Sequence, residues 1–146
     1  MNRLLFTVLA AALLVGTGLS GRSIAAADTP NLCEGLSSEA VAQDPLLTLP
    51  ILDTRSITEP QGKQRLWTPM GAAVLVPAEQ GMTAAYLQRA LSCHAARAEG
   101  SQSPLAVDGA QVEVRATDGA FQVTVTADRR SDAREIQRRV EALGRR

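Results

Sequence analysis

Cys93 and His94 stand side by side, and they are the side chains of this chain best suited to chemistry. Thiolates and imidazoles bind transition metals, and the thioether of Met82 is a third candidate ligand. Neighbouring side chains on a regular helix point about 100° apart, which disfavours one ion shared by Cys93 and His94. We therefore favour packing of His94 on an apolar helix stripe. A metal- or thiol-dependent redox protein centred on Cys93 and His94 is the alternative hypothesis.

Hydrolytic chemistry finds little support in the sequence. His94 is the single histidine, so any Ser-His-Asp arrangement would have to use it, and the chain contains no Gly-x-Ser-x-Gly motif. No complete cofactor or metal motif is present, and we predict no cofactor. The sequence leaves enzyme activity open but favours a non-catalytic role.

Residues 1–27 have the pattern of a cleavable secretion signal. Arg3 supplies the positive start, residues 4–19 are largely apolar, and Ala25 to Ala27 offer small side chains at the cleavage site. The apolar stretch is shorter than the ~20 residues that a spanning helix needs. We expect export to the periplasm or secretion, with no membrane attachment after cleavage.

An exported location permits a disulfide between the two cysteines, Cys33 and Cys93. Their pairing would close a loop of about 60 residues, for which the chain-entropy model gives roughly 4 kcal/mol of stabilisation. No Cys-x-x-Cys spacing is present, so we predict a structural disulfide in preference to a redox-active one.

Charge is distributed unevenly along the chain. The whole chain has 15 basic and 15 acidic residues, and the signal contains two of the arginines and no acidic residue, so the mature part is net −2. This balance argues against nucleic-acid binding. Residues 129–146 nevertheless hold seven arginines against three acidic residues. Two interpretations stay open: a solvated helix face, or a docking surface of Arg130, Arg134 and Arg138 for an anionic ligand or envelope protein.

The second half of the chain has a clear order of elements. Apolar runs, alternation and helical periodicity predict strand, helix, strand, strand and helix at 72–76, 84–98, 112–115, 121–126 and 131–143. Thr83 and Ser131 are predicted N-caps, and Gly100 and Gly144 are predicted helix ends. Glu135 and Arg139 are predicted to form an i, i+4 ion pair on the last helix. Both helices are expected on one face of a small sheet, with the last strand between the first two.

Residues 28–69 are predicted to form an N-terminal extended arm that precedes an α+β domain at 70–146. The segments 56–58 and 65–68 flank the turn-like sequence at 59–62, which indicates a short hairpin. This hairpin is a candidate for the vacant edge of the sheet.

Gly81-Met82-Thr83 at the start of the first long helix resembles the Gly-Met-Thr-Cys-x-x-Cys motif of heavy-metal-associated domains, the small copper and zinc carriers. The resemblance implies a ferredoxin-like α+β fold. Ala84 and Leu87 stand at the two cysteine positions, so it does not extend to metal capture. Together with Cys93-His94 and the last helix, the motif also resembles small uncharacterised exported bacterial proteins. The sequence thus predicts a non-catalytic exported accessory or binding protein.

Overall fold

The computed structural model describes residues 31–63, 66–97 and 102–146. The predicted signal segment and the predicted helix end at Gly100 lie outside the described residues. In chain order the elements are α1 (Ser38–Ala42), α2 (Pro45–Thr48), β1 (Asp53–Gln61), β2 (Leu66–Pro77), α3 (Ala84–Arg97), a 3-10 turn (Pro104–Ala106), β3 (Gln111–Thr117), β4 (Ala120–Thr126) and α4 (Arg130–Leu143).

The strands of the described part form one antiparallel four-stranded sheet in the order β1-β2-β4-β3. The α+β class is confirmed, and β4 lies between β2 and β3. The ferredoxin-like arrangement is not confirmed, because the edge strand beside β2 precedes β2 in the chain and does not follow α4.

One face of the sheet carries the core, and both long helices pack there. The alternation along β4 and the apolar stripes of the helices predicted this face correctly. Its buried side chains include Ala72, Val74 and Val76 of β2, Phe121, Val123 and Val125 of β4, Leu87 and Leu91 of α3, and Ala133, Ile136, Val140 and Leu143 of α4. Each fully buried Leu, Ile or Val contributes roughly 1.5–3 kcal/mol relative to its exposed state.

The predicted hairpin is present, but its turn lies further along the chain. Gln61 and Leu66 are the last paired residues, so residues 59–61 of the predicted turn belong to β1 and only Gly62 lies beyond it. Pro60 is accommodated because β1 is an edge strand, where a proline nitrogen can face away from the ladder. β2 runs without a break through the predicted boundary between residues 69 and 70.

A β-bulge interrupts the β1–β2 ladder. Ile57 pairs with Gly71, whereas Thr58 pairs with Pro69, so Met70 is the extra residue. Beyond the bulge, the end of the hairpin lies beside the N-terminal end of α4, where Arg130 donates to Gln61.

Gly71 and Gln137 make this bulge possible. Gly71 has φ +149°, and a Cβ added there would lie 2.0 Å from the carbonyl oxygen of Val125. Gln137 of α4 donates from Nε2 to the carbonyls of Ile57 and Gly71, at 3.1 Å and 3.0 Å. The glutamine thus satisfies two backbone acceptors at the bulge and fixes α4 over it.

A second glutamine fixes α3 to the other edge of the sheet. Gln88 donates from Nε2 to the carbonyl of Val112 at 2.8 Å, and its Oε1 accepts from the amide of Val114 at 2.7 Å. The side chain replaces a neighbouring strand over part of β3 and shields that edge from pairing.

Three of the predicted helix ends fall on described residues, and two of these, Thr83 and Gly144, are confirmed. The hydroxyl of Thr83 accepts from the amide of Tyr86 at 3.1 Å, and Gly144 ends α4. The prediction of Ser131 as N-cap is wrong. The N-cap is Arg129, and the Ser131 hydroxyl instead donates to Asp132 at 3.1 Å.

The predicted N-terminal arm is not simply extended. Asp44 accepts from the amide of Leu46 at 2.9 Å and caps α2, and Pro45 occupies the first turn, where its missing N–H costs nothing. Leu46 is 1% exposed and belongs to the core.

Candidate binding surface

The predicted disulfide is present. Cys33 and Cys93 are bonded, with their Cα atoms 4.9 Å apart, so both cysteines of the sequence are oxidised. Cys93 is fully buried on α3. The bond attaches the N-terminal segment to the helix that precedes β3.

His94 attaches the same segment at a second point. Its Nε2 lies 2.9 Å from the carbonyl oxygen of Ala40 in α1. The sequence placed His94 on the apolar stripe; the structure places it partly buried at the contact between α1 and α3. Its polar partner was not predictable, since Ala40 is 54 residues away.

Met82 does not join Cys93 and His94 in a ligand set. Its side chain packs against the core and lines a small groove of about 180 Å³ between α3 and the segment of α1 and α2. Within the described residues, no group of three His, Cys, Asp or Glu side chains is arranged to hold a metal ion.

The predicted docking arginines lie along the solvent side of α4. The arginine face, as we define it, consists of Arg130, Arg134 and Arg138, all exposed and spaced four residues apart. At a rise of 1.5 Å per residue these three positions extend over about 12 Å. The three arginines are exposed, and their role as a docking surface stays a prediction.

Each arginine of this face has different neighbours. Arg130 donates to Gln61 and lies 3.4 Å from the hydroxyl of Thr68, so it contacts the hairpin. Arg134 makes no hydrogen bond or ion pair with any described residue. Arg138 pairs with Glu135 at 2.5 Å, with 72% of its side chain exposed.

Glu135 is the acidic centre of the helix. Hydrogen bonds from Arg138 and then Arg139 lower the pKa of Glu135 to about 2. The hydrogen bond and charge of Glu135 in turn raise the pKa of Arg138 above its usual value. Arg139 also donates to the carbonyl of Ser103 at 2.8 Å, so it points to the protein and not to solvent. The predicted pair of Glu135 and Arg139 is confirmed at 2.7 Å.

The positive surface continues to the C-terminal end of α4. Arg138, Arg139, Arg145 and Arg146 line a cleft of about 340 Å³ together with Gln102. Arg145 contacts Glu141 at 3.6 Å, and 79% of its side chain is exposed. Sequence reasoning did not predict this cleft, because Gln102 reaches α4 only in the folded chain.

Two exposed apolar side chains were also missed. Leu66 and Trp67 at the end of the hairpin are 64% and 65% exposed. Their positions beside a turn gave no reason to expect this, since alternation in a hairpin normally buries one of two neighbours.

Comparisons with known proteins add no relatives: no family model, curated protein or solved structure matches this chain. Among the described residues, no helix is long and apolar enough to cross a membrane.

Proposed function

We propose that this chain is an exported, non-catalytic accessory protein that binds an anionic partner, such as an acidic envelope protein, through the arginine face. The observation that carries the proposal is the division of α4 into two sides. Four buried apolar residues fix one side to the sheet, while Arg130, Arg134 and Arg138 are exposed on the other.

Guanidinium groups suit this role. Each offers a planar set of donors that can bind a carboxylate through two parallel hydrogen bonds. Arg134 is available for such a contact, and Arg138 can bind a second carboxylate while Glu135 holds its position. A rigid helix keeps the three groups at fixed spacing, which reduces the conformational entropy lost on binding.

Export is supported by the signal-like pattern of residues 1–27 and by the disulfide. Disulfides persist in oxidising compartments and are rare in the cytosol. The alternative redox function loses support for the same reason, since the Cys93 sulfur is bonded and fully buried.

The test uses the chain without residues 1–27 and a fluorescein-labelled decaglutamate peptide as the probe. Fluorescence anisotropy is measured for the wild type and for the triple variant R130Q/R134Q/R138Q. At an ionic strength of about 0.02 M we expect at least a roughly tenfold higher Kd for the variant, and a smaller difference at about 0.5 M, because salt screens exposed charges.

The matched control is R89Q/R97Q/R115Q, which removes three exposed arginines elsewhere and changes the net charge equally. We expect its Kd to stay within about threefold of the wild type. Equal weakening by the two triple variants would mean that net charge alone governs binding, and the arginine face would be rejected as the site.

A further inference from the structure

The outer edge of β1 is an unused strand edge. β1 is nine residues long and pairs only with β2. Gln88 covers part of the opposite edge at β3, but within the described residues no strand or side chain bonds to the outer backbone groups of β1. Exposed strand edges are templates for pairing with another chain.

The contact with Gln137 shows which way the backbone of β1 points. One Nε2 atom reaches the carbonyls of both Ile57 and Gly71, so the Ile57 carbonyl faces β2. The backbone N–H and C=O groups of successive residues in a strand point to opposite edges of that strand. The N–H and C=O groups of Ser56 and Thr58 therefore point outward. Pro60 has the same parity, and its nitrogen accordingly faces away from the ladder.

We infer that β1 pairs with β1 of a second copy of this chain, antiparallel and about a two-fold axis through Ile57. The pairing joins two four-stranded sheets into one of eight strands. It is independent of the proposed anionic partner, because the arginine face is not needed for the strand contact.

Charge complementarity selects this register. With the axis at Ile57, Arg55 of each copy lies opposite Glu59 of the other, which gives two opposite-charge pairs on one face. Both side chains are exposed. Arg55 donates to the amide oxygen of Gln122 at 3.0 Å, and Glu59 has no ion-pair partner among the described residues. Ile57 meets its own copy at the axis.

Pairing about the residues next to Ile57 gives less favourable charge and hydrogen-bond pairs. An axis through Ser56 places Asp53 opposite Glu59 twice, which puts like charges together. An axis through Thr58 places Ile57 opposite Glu59 and leaves Arg55 opposite Gln61. Only the axis through Ile57 allows Ser56 and Thr58 to exchange backbone hydrogen bonds in both halves. Pro60 lacks one donor in each half and shortens the ladder, so the association is weak.

The helices are compatible with the same axis. A two-fold axis normal to the sheet places both α4 helices on one face, antiparallel and roughly 10–14 Å apart. Gln137 lies over Ile57, so the helices approach each other at this residue. Arg138 lies on the outer side of α4 and stays exposed.

Sedimentation velocity tests the inference on the chain without residues 1–27, at concentrations up to about 1 mM. A strand contact smaller than a standard interface predicts a dimer with a Kd between about 10 µM and 1 mM. The single variants R55E and E59R each turn two attractive pairs into two repulsive ones. We expect each to raise the Kd at least roughly tenfold.

The double variant R55E/E59R restores the opposite charges with their signs exchanged and keeps the net charge of the wild type. We expect it to dimerise within about threefold of the wild-type Kd. Melting temperatures of all variants show whether each is folded. A wild type that stays monomeric at about 1 mM, single variants that dimerise like the wild type, or a folded double variant that stays monomeric would each overturn the inference.

Discussion

Gly71 shows how much of the fold depends on one residue. Its φ of +149° disfavours any L side chain, and an added Cβ would lie 2.0 Å from the Val125 carbonyl oxygen. We expect Gly71→Ala to lower the free energy of unfolding by more than about 2 kcal/mol, measured by urea denaturation.

The control for this prediction is Gly62→Ala. Gly62 has φ +67°, but a Cβ there would meet no atom within 4 Å. Its substitution reports the cost of the backbone conformation alone, about 1 kcal/mol. Equal losses for the two variants would show that the close approach at Gly71 has no energetic weight.

Because of Glu135, the folding stability of the protein depends on pH in the acidic range. Its folded pKa of about 2 lies below the usual value of 4.5, because Arg138 and Arg139 bond to its carboxylate. A lowered carboxyl pKa contributes stability above the unfolded pKa, and this contribution is lost as the pH falls from about 4.5 through 2. We expect Glu135→Gln to reduce the melting temperature at pH 6 and to make no difference near pH 2.

Thermal denaturation followed by circular dichroism measures this effect. Glu141→Gln is the matched control, since Glu141 contacts Arg145 at 3.6 Å and both side chains are more than half exposed. Exposed pairs of this kind contribute at most about 0.5 kcal/mol. A loss on Glu135→Gln that persists unchanged at pH 2 would contradict the linkage to ionisation.

At the residue scale, sequence reasoning predicted what local rules govern. The inner stripe of α4, the cap at Thr83 and the pair of Glu135 with Arg139 follow from helical periodicity and short-range chemistry. The partner of His94 and the bulge contacts of Gln137 depend on residues 54 to 80 positions away. No local pattern encodes such contacts.

At the scale of elements, the disulfide holds the N-terminal segment against α3. The bond joins residues 60 apart, and removing it restores entropy to the unfolded chain. We expect Cys33→Ala/Cys93→Ala to lose roughly 4 kcal/mol of stability, and alanine leaves no polar group in the buried position of Cys93.

Limited proteolysis gives a second measurement of the same variant. Cleavage within α1 and α2 should become faster, while β2 and β4 should remain protected because their side chains form the core. Wild-type protein with the disulfide reduced is the control and should behave alike. Unchanged stability and unchanged cleavage in both would contradict a structural role for the bond.

The elements that prediction missed share one cause. The segment 59–62, which contains Pro60, was predicted to be a turn, yet β1 continues through Pro60 at the sheet edge. Ser131 was chosen as a cap by residue type, whereas the helix begins one residue earlier, after Arg129. Residue propensities predict the type of an element more reliably than they predict the residue at which it begins.

On the scale of the whole molecule, the strand order is the property that the sequence determines least directly. The position of β4 between β2 and β3 follows from compactness. Which segment of the chain supplies the edge strand beside β2 depends on which segment buries more apolar surface against α4. The edge that β1 leaves open is a consequence of that order, and so is the self-association inferred from it.

Charge is the other property of the whole molecule. Residues 28–128 are net −6 and residues 129–146 are net +4, so α4 carries a cationic surface on an acidic body. Such separation would orient and accelerate the approach of the proposed anionic partner. The sequence predicted the arginine face itself, since helical spacing decides which side chains share a side.

The most direct test of the binding proposal is an NMR titration of the ¹⁵N-labelled chain with decaglutamate, observing the arginine Nε–Hε signals. The proposal predicts that the largest shifts belong to Arg130, Arg134 and Arg138 and that they saturate together. Largest shifts at Arg89, Arg97 and Arg115, or shifts spread evenly over all arginines, would contradict it.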